Sequence, residues 1–247
     1  MGVSGSKGNR RMKHEFLAHS SRDEAADFAA RMAVGVLSAA IEESGKASFM
    51  VSGGSSPAPV FDRLAHTDMA WSRVTVGLVD ERWVSPDDPA SNEQLVRRHL
   101  LTGKAGAAGF VPMKTAAKTA AAAVADRNLA YGPHSDPIDL ILLGMGNDGH
   151  TASWFPKASG LKSAMHAKHG EVVAAIDATG CPVAGDLTER LTLTGPAIID
   201  SDAAILLIFG DDKRDVLNAA LKSEPDDRPI RFAVDGLGPR LTIIWAP

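Results

Sequence analysis

The chain has 247 residues, 45% of them hydrophobic and 23% charged, with a net charge of −4 and a single cysteine, Cys181. That length can core one α/β domain, the acidic balance provides no global basic field for nucleic acid, and one thiol excludes an intrachain disulfide or a multi-cysteine metal site. No apolar stretch approaches the ~20 residues that a bilayer crossing needs, so no membrane association and a cytoplasmic location are expected.

Residues 1–13 are small, polar and basic with no apolar core behind them, and they read as a mobile tail ahead of one domain over 14–247. Residues 22–44 place Ala26, Ala29, Ala33, Val36, Leu37 and Ile41 at helical spacing, ending near Gly45. The first predicted strand is Ala47–Val51, with residues 1–46 ahead of it. The loop Ser52-Gly53-Gly54-Ser55-Ser56 leads to a helix expected to begin at Pro57 under a Ser56 cap. A strand over 73–79 closes on Asp80-Glu81-Arg82-Trp83; residues 92–101 read as helical, and 115–131 as an alanine-rich helix. Strands follow at 138–143 and 171–176, and 190–193 reads as a short strand or a helix lead-in. Ala203–Phe209 reads as a buried strand, followed by a helix from Gly210 to about Leu221 and a final strand over 241–245. This alternation of near-continuous apolar strands with helices predicts the α/β class, a mostly parallel sheet covered on both faces.

Four predicted strands end in glycine or charge, at Gly53-Gly54, Asp80 to Arg82, Gly144 to His150, and Gly210 to Lys213. Ligands of open α/β sheets bind outside the carboxyl ends of the strands, so these distant segments should meet at one crevice. Gly53, Gly54, Ser55 and Ser56 have the makings of an anion cradle, although a tight turn with a serine cap explains them equally well. The loop lacks the lysine of a nucleotide-triphosphate loop. Asp148 and His150 form the kind of titratable pair that acid–base chemistry at neutral pH requires. Arg82 can fork onto a phosphate or carboxylate, and Lys213 stands where a helix begins. Arg190 precedes an apolar run instead of ending one, so the strand-end argument does not reach it. His166 and His169 read as surface residues, and no ligand pattern for a metal is present. Gly144, Gly146 and Gly149 spell G-x-G-x-x-G, but Pro156 interrupts too soon for the crossover helix of a dinucleotide site, and Glu171 precedes its apolar run where the acidic residue should end it.

Taken in order, Ser-Gly-Gly-Ser-Ser-Pro (52–57), Asp-Glu-Arg-Trp-Val (80–84) with Ser91-Asn92, and Gly-Met-Gly-Asn-Asp-Gly-His-Thr-Ala-Ser-Trp-Phe-Pro (144–156) resemble the 6-phosphogluconolactonases. The likeness continues through Arg190-Leu-Thr-Leu-Thr and Gly210-Asp-Asp-Lys213 and covers the chain from about residue 20 to its end. It implies the three-layer α/β/α fold shared with ribose-5-phosphate isomerase and glucosamine-6-phosphate deaminase. It also implies hydrolysis of 6-phospho-D-glucono-1,5-lactone to 6-phosphogluconate, the second step of the pentose phosphate pathway, with no cofactor and no metal. In that frame His150 is the general base, with Asp148 orienting it or holding sugar hydroxyls and Asp80 in a similar polar role. Gly53, Gly54, Ser55, Ser56 and Lys213 hold the phosphate. Arg82 and Arg190 clamp anionic groups, undivided between phosphate and carbonyl oxygen.

The deaminases, which are aldose–ketose isomerases, resemble Asp-Glu-Tyr where this chain has Asp80-Glu81-Arg82. They carry Ile-Ala-Phe-Asn-Glu-Pro where it has Thr151 to Pro156, so their ring-opening glutamate is missing. Asn147 and Ser85 replace prolines common in the lactonases, and the chain stops at Pro247, where many relatives add a helix, which bears on the packing of the last strand. A non-catalytic sugar-phosphate sensor on the same fold would need a DNA-binding domain, and no helix-turn-helix is evident. The expected assembly is a monomer or weak homo-oligomer.

Overall fold

The computed structural model describes residues 14–247; residues 1–13, the predicted tail, lie outside the described residues. The elements in chain order are β1 (Glu15–Ala18), α1 (Arg22–Ser44), β2 (Ala47–Val51), α2 (Ala58–His66), β3 (Val74–Leu78), β4 (Asp80–Arg82), α3 (Asn92–His99), β5 (Gly109–Val111) and α4 (Ala120–Tyr131). They continue as β6 (Leu140–Leu143), α5 (Leu161–Met165), β7 (Val173–Asp177), β8 (Glu189–Leu193), α6 (Gly195–Ile199), β9 (Ala203–Phe209), α7 (Asp211–Ala220), α8 (Ile230–Leu237) and β10 (Leu241–Ala246).

Seven strands form a parallel sheet in the order β1-β10-β9-β6-β2-β3-β5. Every residue of β2, β6 and β10 is buried, as a sheet with both faces covered demands. This is the helix-covered, mostly parallel architecture that the alternation predicts. α1 packs across β2, β6, β9 and β10 on a stripe of Ala25, Ala26, Ala29, Ala30, Ala33 and Leu37, whose small side chains bring helix and sheet close together. Its ends follow the capping rules: Ser21 accepts the Glu24 N–H, and Gly45 closes the helix in the left-handed region at φ 81°.

The connections place the crevice. From β2 the chain proceeds toward β3 and β5 on one side, and from β6 toward β9 and β10 on the other, while β2 and β6 are themselves neighbours. The loops leaving these two strands therefore diverge, which is the switch point where open α/β sheets bind ligands.

Several elements depart from expectation. β1 precedes the first predicted strand and pairs with β10, which is thus enclosed by β1 and β9 and buried along its whole length. β5 is three residues long and carries no apolar signal of strand length. The alanine-rich helix begins at Ala120, where Thr119 caps it, and residues 115–119 are not helical. α2 begins at Ala58 with Pro57 at its cap, and no Ser56 side chain closes it. The segment over 190–193 is a strand, β8. The short helices α5 and α6 and the longer α8 were unpredicted. The largest departure is a second, antiparallel sheet, β4-β8-β7, in which the Asp-Glu-Arg motif is itself a strand.

Candidate functional site

The loop after β2 makes a turn that only small residues allow. Gly54 has φ 101°, and a Cβ on Gly53 would fall 1.8 Å from the Asn92 side-chain oxygen, so a larger residue there would have to displace Asn92. Among the described residues, the backbone N–H groups of Gly53, Gly54, Ser55 and Ser56 find no acceptor. Ser56 does not cap α2, whose Val60 and Phe61 N–H groups turn back to the Pro57 carbonyl instead, so the Ser56 hydroxyl is not spent on the helix. Of the two readings of this loop, the cradle of free donors fits the geometry better than the capped turn.

The loop after β6 builds the titratable pair. The Nδ1 of His150 lies 2.6 Å from Asp148 Oδ1, which also accepts the His150 backbone N–H at 3.1 Å. An ionised carboxylate can only accept, so the imidazole carries its proton on Nδ1 and leaves the Nε2 lone pair free. Burial works to raise the pKa of Asp148, but the hydrogen bonds and charge of His150 outweigh it and hold the carboxyl below its usual range. Gly146 is indispensable here, since a Cβ would stand 2.1 Å from the His150 ring and 2.7 Å from Asp148 Oδ1. Phe155 packs on the imidazole with ring centroids 4.4 Å apart, and buried Trp154 pins the loop through its indole N–H to the Leu193 carbonyl.

The second sheet explains Arg190. β8 runs antiparallel to β4, so its beginning lies beside the end of β4, and Arg82 pairs in register with Arg190. Arg190 is buried, donating from Nε to the Leu187 carbonyl and from Nη2 to the Ala184 carbonyl, with its guanidinium 5.3 Å from the Phe155 centroid. Burial lowers its pKa, Asp80 opposes that, and the like charge of Arg82 adds to it. Arg82 donates to the Ala90 carbonyl, and its buried Nε has no partner. Lys213, in the first turn of α7, donates to the Met145 carbonyl at 2.6 Å; burial lowers its pKa while Asp148 partly restores it. None of these three cations is ion-paired among the described residues.

Gly53, Gly54, Ser55, Ser56, Asp80, Arg82, His150, Arg190 and Lys213 line one cavity of about 340 Å³, and Asp148 stands behind His150. Asp80 is held on both sides, its Oδ2 accepting the Ser153 hydroxyl at 2.6 Å and its Oδ1 the Asn92 amide at 3.3 Å. Glu81, which residue type alone does not mark, is fully buried and accepts from Ser91 Oγ and the backbone N–H groups of Arg82, Asn92 and Glu93. Burial raises its pKa against these four bonds; its work is to fix the start of α3, and with it Asn92, beside the cavity. Thr151, Ala152, Phe155 and Val183 also line the cavity and went unselected, because nothing in their residue types marks them. His166 and His169 are exposed and remote from it.

The arrangement is a crevice with a cradle for one anion, three unpaired cations and an oriented imidazole. Comparisons with known proteins give the family. The family model described as "Glucosamine-6-phosphate isomerases/6-phosphogluconolactonase" matches residues 20–242. A 6-phosphogluconolactonase of Xylella fastidiosa strain Temecula1 is 44% identical over 83% of this chain and 84% of its own. One from Pseudomonas aeruginosa is 40% identical over 92% of both chains. The crystal structure of a 6-phosphogluconolactonase from Shewanella baltica superposes with a TM-score of 0.86 at 34% identity, covering 96% of this chain and 99% of that one. A monomeric glucosamine-6-phosphate deaminase, 20% identical over 94% of this chain and 97% of its own, shares the fold with a TM-score of 0.72. The chain therefore belongs to the glucosamine-6-phosphate isomerase/6-phosphogluconolactonase family.

Proposed function

We propose that this chain hydrolyses 6-phospho-D-glucono-1,5-lactone to 6-phospho-D-gluconate, as a carboxylic ester hydrolase of the oxidative pentose phosphate pathway. The observation that carries the reading is the His150–Asp148 pair, 2.6 Å apart, opening on the same cavity as the free amides of the Gly53–Ser56 loop. The substrate phosphate rests on that loop with Lys213 as its point-charge partner. Arg82 and Arg190 hold the remaining anionic character of the ligand. His150 Nε2 takes a proton from water as the water oxygen bonds to the lactone C1. The tetrahedral adduct collapses, the bond from C1 to the ring oxygen breaks, and the imidazolium returns the proton to that oxygen. Asp148 holds the ring in the required tautomer and steadies the imidazolium.

Deaminase chemistry fits less well. Among the described residues, the two carboxylates at the crevice, Asp80 and Asp148, are both engaged, by Ser153 with Asn92 and by His150 respectively, which leaves none of them free to support ring opening. The reading places the protein in the cytoplasm, as a monomer or weak homo-oligomer needing no cofactor. Formation of 6-phosphogluconate from freshly generated lactone, followed above the spontaneous rate, tests it. Wild-type protein should accelerate the reaction, and a rate equal to background would refute the proposal.

A further inference from the structure

Water's attack puts negative charge on the carbonyl oxygen, and something must receive it. The two residues that follow His150 have the groups to do so. Thr151 and Ala152 line the cavity at 1% and 9% exposure, and neither backbone N–H has an acceptor among the described residues. Buried N–H groups without a partner are rare in folded proteins, and here two stand in succession. The Thr151 hydroxyl does not relieve them, because it donates to the Gly144 carbonyl at 2.8 Å. Ala152 in addition adopts φ 50°, one of only two described non-glycine residues in the left-handed region. An alanine holds that conformation only where its surroundings impose it. Its surroundings are fixed: Ser153 N–H is tied to Thr192 Oγ1, Trp154 N–H to the Thr151 carbonyl, and the Trp154 indole to Leu193.

We infer that the N–H groups of Thr151 and Ala152 form the oxyanion hole of this enzyme. Consecutive Cα atoms are ~3.8 Å apart, so both donors stay within a residue or two of the imidazole that activates water. One short segment thus supplies base and oxyanion donors in fixed relation. Arg190 and Arg82 are already partly committed to the carbonyls of Ala184, Leu187 and Ala90, which leaves their outer N–H groups for the ligand's formal anions. As C1 becomes tetrahedral, the carbonyl π pair moves onto oxygen, where the two amides meet it. The pair returns when the C1–ring oxygen bond breaks. The inference rests on the hydrolytic reading and adds to it two donors that no side-chain chemistry marks.

The decisive experiment replaces Ala152 with lactic acid by nonsense suppression, exchanging one N–H for an ester oxygen. Loss of one oxyanion donor should lower kcat by about 100-fold while KM stays within about twofold. Ala152→Gly keeps the N–H and tolerates positive φ, so its kcat should stand well above that of a variant that resists the turn. Ala152→Val disfavours the left-handed turn and should lower kcat with unchanged affinity for phosphorylated product. Should the ester variant fail to fold, the valine and glycine pair decides the matter: equal kcat in the two would overturn the inference. So would a wild-type kcat in the folded ester variant, or a fall in kcat matched by loss of product affinity. A wild-type protein without lactonase activity would instead remove the hydrolytic reading underneath.

Discussion

At the amino ends of β2, β3, β6 and β9 the sheet has a cavity of about 650 Å³, larger than the crevice of about 340 Å³ at the carboxyl ends. The larger one is bordered by Glu43, Asp136, Asp139 and Asp202 against Lys46 and His134. Its best-placed carboxylate is already occupied, since Asp139 accepts the Ser48 N–H at 2.6 Å and the Ser48 hydroxyl at 2.8 Å. The smaller one has three cations without carboxylate partners, a loop of amides without acceptors and an imidazole with a free nitrogen. Volume alone would choose the wrong end of the molecule. Unsatisfied donors and unpaired charge choose the right one, because a fold retains such costs only where a ligand relieves them.

Substitutions at the two ends should separate them sharply. The largest effect is expected for His150→Ala, which removes the proposed general base and should lower kcat by about 10²–10⁴ with the thermal midpoint nearly unchanged. A turnover close to wild type would mean that the crevice binds without this imidazole doing chemistry. Gly146→Ala should come next, as its methyl displaces both ring and carboxylate; a kcat loss on the order of 100-fold is expected from a base moved by about 1 Å. A crystal structure of that variant with an undisturbed pair would contradict the steric account. Lys213→Ala should weaken binding of 6-phosphogluconate by about 10- to 100-fold, the worth of one charge-assisted hydrogen bond; calorimetry showing equal affinity would remove Lys213 from the phosphate site.

The smallest effect belongs to the other end. Burial, with Asp139 and Glu43 adding to it, raises the pKa of Asp202, so the folded state holds its proton more tightly than the unfolded chain does. Such a group favours folding in acid and loses that advantage as pH rises through the folded pKa. Asp202→Asn should therefore raise the melting temperature slightly at pH 7 and leave it unchanged in strong acid, with kcat and KM as in wild type. An activity change would show that the two ends communicate.

Much of this was legible in the residues. β2 and β9 have the predicted limits because each is an apolar run, interrupted only by Ser48, bounded by glycine, serine or charge. β1 and β5 were not, because edge strands of four and three residues pair by backbone alone and leave side chains exposed or half-exposed. The alanines over 115–119 favour helix locally, but the Thr115 hydroxyl holds the Ala117 N–H in a local turn, and the helix starts only at Thr119, whose hydroxyl accepts the Ala122 N–H. At the site, residues that announce their chemistry, such as His150 and Lys213, could be found by type and placement. Arg190 needed the antiparallel β4–β8 register, which joins segments more than a hundred residues apart in sequence. Glu81 looks like any surface acid until its four donors are seen. Thr151 and Ala152 act through the main chain, where residue type is silent.

The register that sets Arg82 beside Arg190 has a consequence at the bench. The like charges of Arg82 and Arg190 repel, Asp80 opposes that repulsion, and a small oxyanion that settles beside the pair adds to the relief. Binding to the folded state alone raises apparent stability by mass action. A melting curve recorded in phosphate or sulfate buffer should therefore sit above one recorded in a zwitterionic buffer of equal ionic strength, and the choice of storage salt becomes part of handling this protein.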